Sequence, residues 1–185
     1  MGKTHIPQSH IALCDIILSK TSTLIGAGIR SDVQQTQMVP DLLTGSNWNH
    51  AALVVEDEGR LKVAEALAGG ITIREIGLYT KPRADLLDVA LLRYKYTLAD
   101  WQKKRINCYA FGKVGVKYDF LGIVGFLLKI LLGLRFNPLA SDEKLFCSEF
   151  AVRAFGKAHI QLTPNSPKLT SPEDLYKSDA LTRLV

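Results

Sequence analysis

The sequence predicts a single α+β domain, residues 1–185, in which an antiparallel sheet packs against helices. Short apolar runs separated by turn-forming residues occupy the first half of the chain and are typical of paired strands. Longer segments with helical spacing follow in the second half. The length of 185 residues is that of one domain and is sufficient to bury a core without disulfides or a structural metal.

Five apolar runs are predicted strands because each is short and is bounded by polar or turn-forming residues. They cover residues 11–19, 51–56, 61–66, 71–75 and 89–94. The second and third flank Asp57-Glu58-Gly59-Arg60, a hairpin turn in which glycine supplies the positive φ that a tight turn needs. Gly69-Gly70 turns the chain into the fourth run.

Helical spacing predicts a first helix over residues 97–115. Its expected buried stripe consists of Leu98, Trp101, Ile106, Tyr109 and Val114. A second helix is predicted from Cys147 to about Ala158. A short third helix is expected after Ser171, which can act as its N-cap, with Pro172 at the first helical position.

Residues 120–134 form an unusually apolar segment, in which 14 of 15 residues are apolar or glycine and Lys129 is the single charge. The segment is shorter than the ~20 residues that span a bilayer. Three interpretations stay open. The segment is a buried helix or hairpin arm, an exposed apolar lid that takes up an acyl chain or rests on a membrane, or a membrane anchor.

The three cysteines, Cys14, Cys108 and Cys147, have no CxxC or CxxH spacing. Neither a zinc site nor a disulfide framework is therefore expected, and no cofactor is predicted. Cys14 lies in an apolar run and Cys108 in the middle of a helix, and both are predicted to be small core residues.

Lysine and arginine number 23 against 18 aspartates and glutamates, which gives a net charge of +5. This surplus suits an acidic polymer or an anionic surface. No dense basic stripe alternates with aromatic residues, so nucleic acid is not an expected partner and residues 103–105 are predicted to be a solvated helix face.

The N-terminal residues lack the pattern of a cleaved secretion signal, which predicts cytoplasmic residence, with export by a signal-less route as the alternative.

His50, Glu65 and Cys147 form the candidate active site. His50 precedes an apolar strand and Glu65 lies on the next strand of the hairpin. If Glu56 pairs with Leu61, the alternation of side chains places Glu65 on the same face as His50. Cys147 opens a predicted helix, whose free N–H groups stabilise a thiolate. A carboxylate that orients an imidazole beside a thiol is the arrangement that thiol acyl transfer requires.

The order His–Glu–Cys and its surrounding motifs resemble the circularly permuted NlpC-type papain-like enzymes of the YiiX and YaeF group, to which lecithin retinol acyltransferase is more distantly related. The motifs are Cys14-Asp15-Ile16-Ile17-Leu18, Trp48-Asn49-His50-Ala51, Phe146-Cys147-Ser148-Glu149-Phe150 and Ser171-Pro172-Glu173-Asp174-Leu175. Cys14 stands where the family has glycine, and Asn49 where it has serine. The resemblance runs from about Ile11 to Leu175 and implies a permuted papain-like fold with a small, barrel-like antiparallel sheet packed against helices.

This resemblance implies a cysteine hydrolase that cleaves an amide bond and needs no metal. Cys147 would be the nucleophile, His50 the general base and Glu65 the residue that orients it. Relatives of the superfamily cleave γ-glutamyl or other peptide bonds, so a bacterial cell-wall peptide is the expected substrate. Such an enzyme would recycle wall fragments, act for a phage or be delivered as a toxin.

Three further residues near the predicted site have expected roles. Tyr118 matches a family tyrosine close to the oxyanion site, with a core aromatic as the alternative. Asp119 is expected to brace the local backbone, and Glu149 to face a structural partner.

Two other functions stay open on the sequence alone. The first is a lipid-directed thiol acyltransferase or hydrolase that uses residues 120–134 to bind lipid or a membrane surface. The second is a non-catalytic binding module that retains the fold, which the intact His50, Glu65 and Cys147 disfavour.

Overall fold

The computed structural model describes residues 5–21, 48–67, 69–116 and 147–185. In this part of the chain six strands form one antiparallel sheet in the order β4-β3-β2-β1-β5-β6. The strands are β1 Ile16–Thr21, β2 His50–Asp57, β3 Arg60–Leu67, β4 Gly70–Glu75, β5 Leu86–Tyr94 and β6 Leu181–Arg183. The α-helices are α1 Gly77–Thr80, α2 Asp100–Gly112, α3 Cys147–Lys157 and α4 Pro172–Tyr176. The predicted α+β class is confirmed, whereas Tyr118, Asp119 and residues 120–134 lie outside the described residues.

The β2–β3 hairpin has the register predicted from the sequence, with Glu56 opposite Leu61. Glu58 and Gly59 at its tip have φ values of 50° and 74°. Two successive positive φ angles are typical of a type I′ turn, whose twist matches that of the flanking strands. The same register continues down the hairpin and sets Glu65 opposite Ala52.

Both faces of the sheet are covered by other elements. The central strands are almost continuously apolar because successive side chains point to opposite faces and both faces are buried. On one face Leu53 belongs to a buried cluster with Phe150 and Phe155 of α3. On the other face Val54 belongs to a second cluster that includes Tyr79 of α1. Strand β2 is consequently buried from its first residue to its sixth. A polar side chain on such a strand must find its partners inside the protein.

Strand β1 begins later than the predicted 11–19 because a turn precedes it. Cys14 in this turn has φ 69° and is 2% exposed, so it is a core residue as predicted, but it lies outside the strand. A left-handed backbone costs glycine nothing, which is a physical reason for glycine at this position in the resembled family. Asp15 then accepts hydrogen bonds from the Ala12 N–H at 2.7 Å and from Nε and Nη2 of Arg93, each at 2.8 Å.

Helix α2 corrects three predictions. It is shorter than the predicted 97–115, and its buried residues are Ile106 and Ala110. Trp101 and Val114 are 49% and 50% exposed, and Cys108 is exposed rather than a core residue. At about 100° per residue, Trp101 and Cys108 lie more than about 130° around the helix from Ile106, and Val114 follows the helix end.

The C-terminal segment combines a confirmed helix with an unpredicted strand. Ser171 is the N-cap of α4, and its Oγ accepts a hydrogen bond from the Asp174 N–H at 3.1 Å. Strand β6, which pairs with β5, was not predicted because three residues are too few to display a period. Helix α1, with four residues, is also too short to display a period. Within the described ranges, no helix has the length and apolar character needed to cross a membrane.

The packing of α3 on the sheet predicts a strong dependence of stability on Phe155. This side chain is fully buried, and Phe155→Ala removes its contacts and leaves a cavity. The free energy of unfolding is expected to fall by about 3–5 kcal/mol, measured by urea denaturation. Leu184→Ala is the control, because Leu184 is 39% exposed and its loss should change stability by less than about 0.5 kcal/mol. Equal losses in both variants would contradict the prediction.

Candidate active site

His50 is the first residue of β2 and lies opposite Ser19 of β1 in the middle of the sheet. Its side chain is 7% exposed. Alternation along β2 places it on the same face as Ala52 and Val54, the face covered by α1. A histidine here is removed from solvent on both sides, so its protonation depends on neighbouring side chains.

Glu65 of β3 contacts His50 across the hairpin. The register makes the two residues diagonal neighbours on one face, and Oε1 of Glu65 lies 3.3 Å from Nε2 of His50. The Glu65 side chain is 1% exposed. The other imidazole nitrogen, Nδ1, makes no hydrogen bond of ordinary length to the described residues. Since Nε2 is engaged by Glu65, Nδ1 is the nitrogen available to a nucleophile.

Two further side chains bind Glu65, and neither was predicted. The Tyr79 hydroxyl of α1 donates a hydrogen bond to Oε1, and Nη1 of Arg74 lies 3.3 Å from Oε2. The register could have indicated Arg74, because Glu65 pairs with Thr72 and Arg74 is the next residue on that face of β4. Nothing in the sequence indicated Tyr79, because α1 is only four residues long.

Cys147 is the first residue of α3, as predicted, and is 5% exposed. The helix packs on the sheet face opposite to His50, yet its first residue reaches the start of β2, where the thiol lies beside the imidazole. The backbone N–H groups of Ala51 and Ser148 also lie near the sulfur and help to lower the pKa of the thiol. The structure thus places Cys147, His50 and Glu65 in a continuous chain of contacts.

The pKa directions in this chain favour a thiolate–imidazolium pair. Burial raises the pKa of the Cys147 thiol, but the adjacent His50 imidazole outweighs burial and holds that pKa below its usual value. Burial lowers the pKa of His50, but Cys147 and Glu65 outweigh it and raise the pKa to about 10. Burial raises the pKa of Glu65, but His50, Tyr79 and Arg74 together bring it below its usual value. All three directions favour an anionic sulfur beside a cationic ring.

The next two residues of α3 make structural contacts and do not extend the contact chain. Glu149 is buried and accepts hydrogen bonds from Arg153, with both Nε and Nη2 at 2.8 Å from Oε1. The Ser148 hydroxyl donates to the carbonyl of Thr170 at 2.6 Å. The structural role of Glu149 stays a prediction, and Tyr118 and Asp119 fall in a part of the chain that the structure does not describe.

A similar fold occurs in a solved structure, described as that of metalloprotein yiiX from Escherichia coli O157:H7. The two chains share 16% sequence identity, and the match covers 97% of each with a TM-score of 0.63. At this identity the likeness concerns the fold alone. Among the curated proteins, no match to this sequence was found.

Because that solved structure is described as a metalloprotein, the question arises whether the side chains of the present chain could hold a metal ion. Among the residues that the structure describes, no group of three or more histidine, cysteine, aspartate or glutamate side chains is arranged to hold a metal ion. The polar atoms of Glu65 are already engaged by His50, Tyr79 and Arg74. The described residues therefore do not fit a metal site.

A family comparison covers nearly the whole chain. The family described as permuted papain-like amidase enzymes, YaeF/YiiX, C92, matches residues 15–184. The order of the elements agrees with this match, since the histidine hairpin precedes the cysteine helix. The resemblance seen in the motifs is confirmed: the chain belongs to the permuted papain-like amidase family of YaeF and YiiX, whose members are papain-like cysteine hydrolases.

Proposed function

We propose that this enzyme cleaves an amide bond through a covalent intermediate on Cys147, with His50 as the proton-transfer residue and Glu65 orienting it. The observation that carries the proposal is the contact chain from the Cys147 sulfur through the His50 ring to the Glu65 carboxylate. The family is one of amidases, which agrees with this chemistry.

The proposed reaction has two steps that balance in atoms and charge. The Cys147 thiolate attacks the carbonyl carbon, and the His50 imidazolium gives its proton to the departing amine, which leaves a thioester on the sulfur. Water then attacks the thioester while His50 takes a proton from it, and the acid product leaves as the thiolate forms again. In this proposal the pair is already charged in the resting enzyme, so the first step needs no prior proton transfer.

The helix start supplies a further contribution to the proposed reaction. The free N–H groups of the first turn of α3 place partial positive charge beside the sulfur. We propose that the Cys147 N–H also donates to the oxyanion that develops on the carbonyl, with Tyr118 as a second donor.

We propose a bacterial cell-wall peptide as the substrate, cleaved at a γ-glutamyl or other peptide bond. The amidase family and the resemblance to cell-wall enzymes support this class of bond. The net charge of +5 suits approach to an anionic wall polymer. The lipid-directed alternative depends on the composition of residues 120–134, so its test is a variant of that segment.

The activated thiol predicts fast alkylation of Cys147 at pH 6, where an ordinary thiol with a pKa of about 8.5 is almost wholly protonated. Limiting iodoacetamide followed by peptide mass mapping separates Cys147 from the exposed Cys108. His50→Ala should slow the labelling of Cys147 at least about tenfold, because the positive partner is lost. His159→Ala is the matched control, and equal rates in the wild type and His50→Ala would contradict the pairing.

Glu65→Gln predicts a loss of activity at alkaline pH. The wild-type imidazolium persists up to the His50 pKa of about 10, partly because Glu65 is negative. Removal of that charge lowers the pKa of His50, so the fraction of imidazolium declines at a lower pH than in the wild type. In the profile of kcat/KM against pH, the alkaline limb should shift to lower pH. The profile is measured on a peptide that the wild type cleaves. An unchanged limb would contradict the orienting role of Glu65.

Substrate class and nucleophile can be tested together with a synthetic cell-wall tetrapeptide that contains a γ-glutamyl bond. Mass spectrometry of the products should detect cleavage by the wild type and a loss of at least about 1000-fold in Cys147→Ala. Full activity of Cys147→Ala would exclude the covalent mechanism.

A replacement of Leu127, Leu128 and Leu131 by serine tests the lipid alternative. The cell-wall proposal predicts that this variant keeps its tetrapeptide cleavage. Turnover of phospholipid vesicles by the wild type, lost in this variant while the tetrapeptide stays uncleaved by both, would overturn the cell-wall proposal.

A further inference from the structure

Glu65 holds a negative charge in one of the most buried positions of the described sheet. Its side chain is 1% exposed, and a carboxylate with that exposure is costly unless charges and donors compensate it. His50 supplies one partner, but a single contact leaves the carboxylate group free to rotate about its own axis. The second and third partners, Tyr79 and Arg74, remove that freedom.

The three partners divide the two carboxylate oxygens between them. Oε1 faces Nε2 of His50 and also accepts the hydrogen bond from the Tyr79 hydroxyl. Oε2 faces Nη1 of Arg74 at 3.3 Å. A rotation of the carboxylate away from this orientation would weaken the contacts of both Tyr79 and Arg74, so one of its two equivalent oxygens stays directed at the imidazole.

Tyr79 is itself fixed in place by the backbone around it. It is 5% exposed, its N–H donates to the Ile76 carbonyl at 3.0 Å, and its carbonyl accepts from the Ile6 N–H at 2.8 Å. The N-terminal segment and α1 thus hold the phenol beneath the sheet. Arg74 projects from β4, the strand next to Glu65, and its side chain is 21% exposed.

We infer that Tyr79 and Arg74 are positioning residues of this enzyme, which keep Glu65 ionised and aim it at Nε2 of His50. The inference rests on the proposed function, because the aimed carboxylate acts by supporting the imidazolium beside Cys147. Neither residue is assigned contact with the substrate. Tyr79 acts as a donor, since burial and the adjacent Glu65 raise its pKa well above the usual value and the hydroxyl keeps its proton.

The charged and titratable groups that face Glu65 come from three elements. His50 of β2 and Arg74 of β4 contribute positive charge, and Tyr79 of α1 contributes a neutral donor. Cys147 of α3 acts through His50. The Ser19 hydroxyl of β1 adjoins the phenol of Tyr79. Loss of Tyr79 or Arg74 therefore weakens the support of the carboxylate without removing any group that touches the thiol.

The test measures the rate of Cys147 alkylation by iodoacetamide from pH 4 to pH 9, so it needs no substrate. Tyr79→Phe removes one hydroxyl and keeps the ring, and Arg74→Met removes the positive charge. Because the imidazolium is then less well supported, both variants should lower the rate of Cys147 alkylation at pH 6 by about three- to tenfold. Both should also raise the acid midpoint, which is the pH at which that rate reaches half of its maximum. Arg74→Lys should recover most of the rate because it keeps the charge. Tyr94→Phe is the matched control, since the Tyr94 ring packs against Tyr96 and Phe155.

The outcomes separate this inference from the proposed function. A merely structural role would lower the melting temperature of Tyr79→Phe and leave the acid midpoint of Cys147 where it is in the wild type, which would overturn the inference alone. The inference is also overturned if Arg74→Lys behaves like Arg74→Met. If wild-type Cys147 labels no faster at pH 6 than it does in His50→Ala, the proposed function fails, and the inference fails with it.

Discussion

A buried negative charge on Glu65 is the constraint around which the described site is organised. The carboxylate has almost no contact with water, so its charge has to be balanced by groups inside the protein. An imidazole, a phenol and a guanidinium provide that balance from three different elements. The cationic ring that results lowers the pKa of the thiol beside it. The reactivity of the sulfur thus depends on a side chain two contacts away.

The sheet makes this arrangement possible because both of its faces are covered. One cluster fixes α3, whose first residue carries the thiol, and the other cluster encloses Glu65 and Tyr79. The two layers meet where β2 begins, and His50 occupies that position. The hydrogen bond from the Ser148 hydroxyl to the Thr170 carbonyl ties the start of α3 to the segment before α4. The packing that covers the two faces of the sheet therefore also positions the residues of the candidate active site.

Local rules predicted the hairpin and the starts of α3 and α4 well. The register from Glu56 to Glu65 follows from a single tight turn, because every later pair in an antiparallel hairpin depends on the first. The cap at Ser171 follows equally from its own few neighbours. The helical stripe was predicted less well: Trp101 and Cys108 look apolar in the sequence, but the face that turns inward is chosen by what α2 packs against.

The sequence by itself determined the α+β class, the hairpin that sets His50 and Glu65 on one face, and the start of a helix at Cys147. These features depend on alternation, turn chemistry and capping, which act over a few residues. Only the tertiary structure decided which groups surround Glu65. Tyr79 and Arg74 reach it because α1 folds under the sheet and β4 lies beside β3. Contacts between elements depend on how whole layers pack, and no local period in a sequence records them.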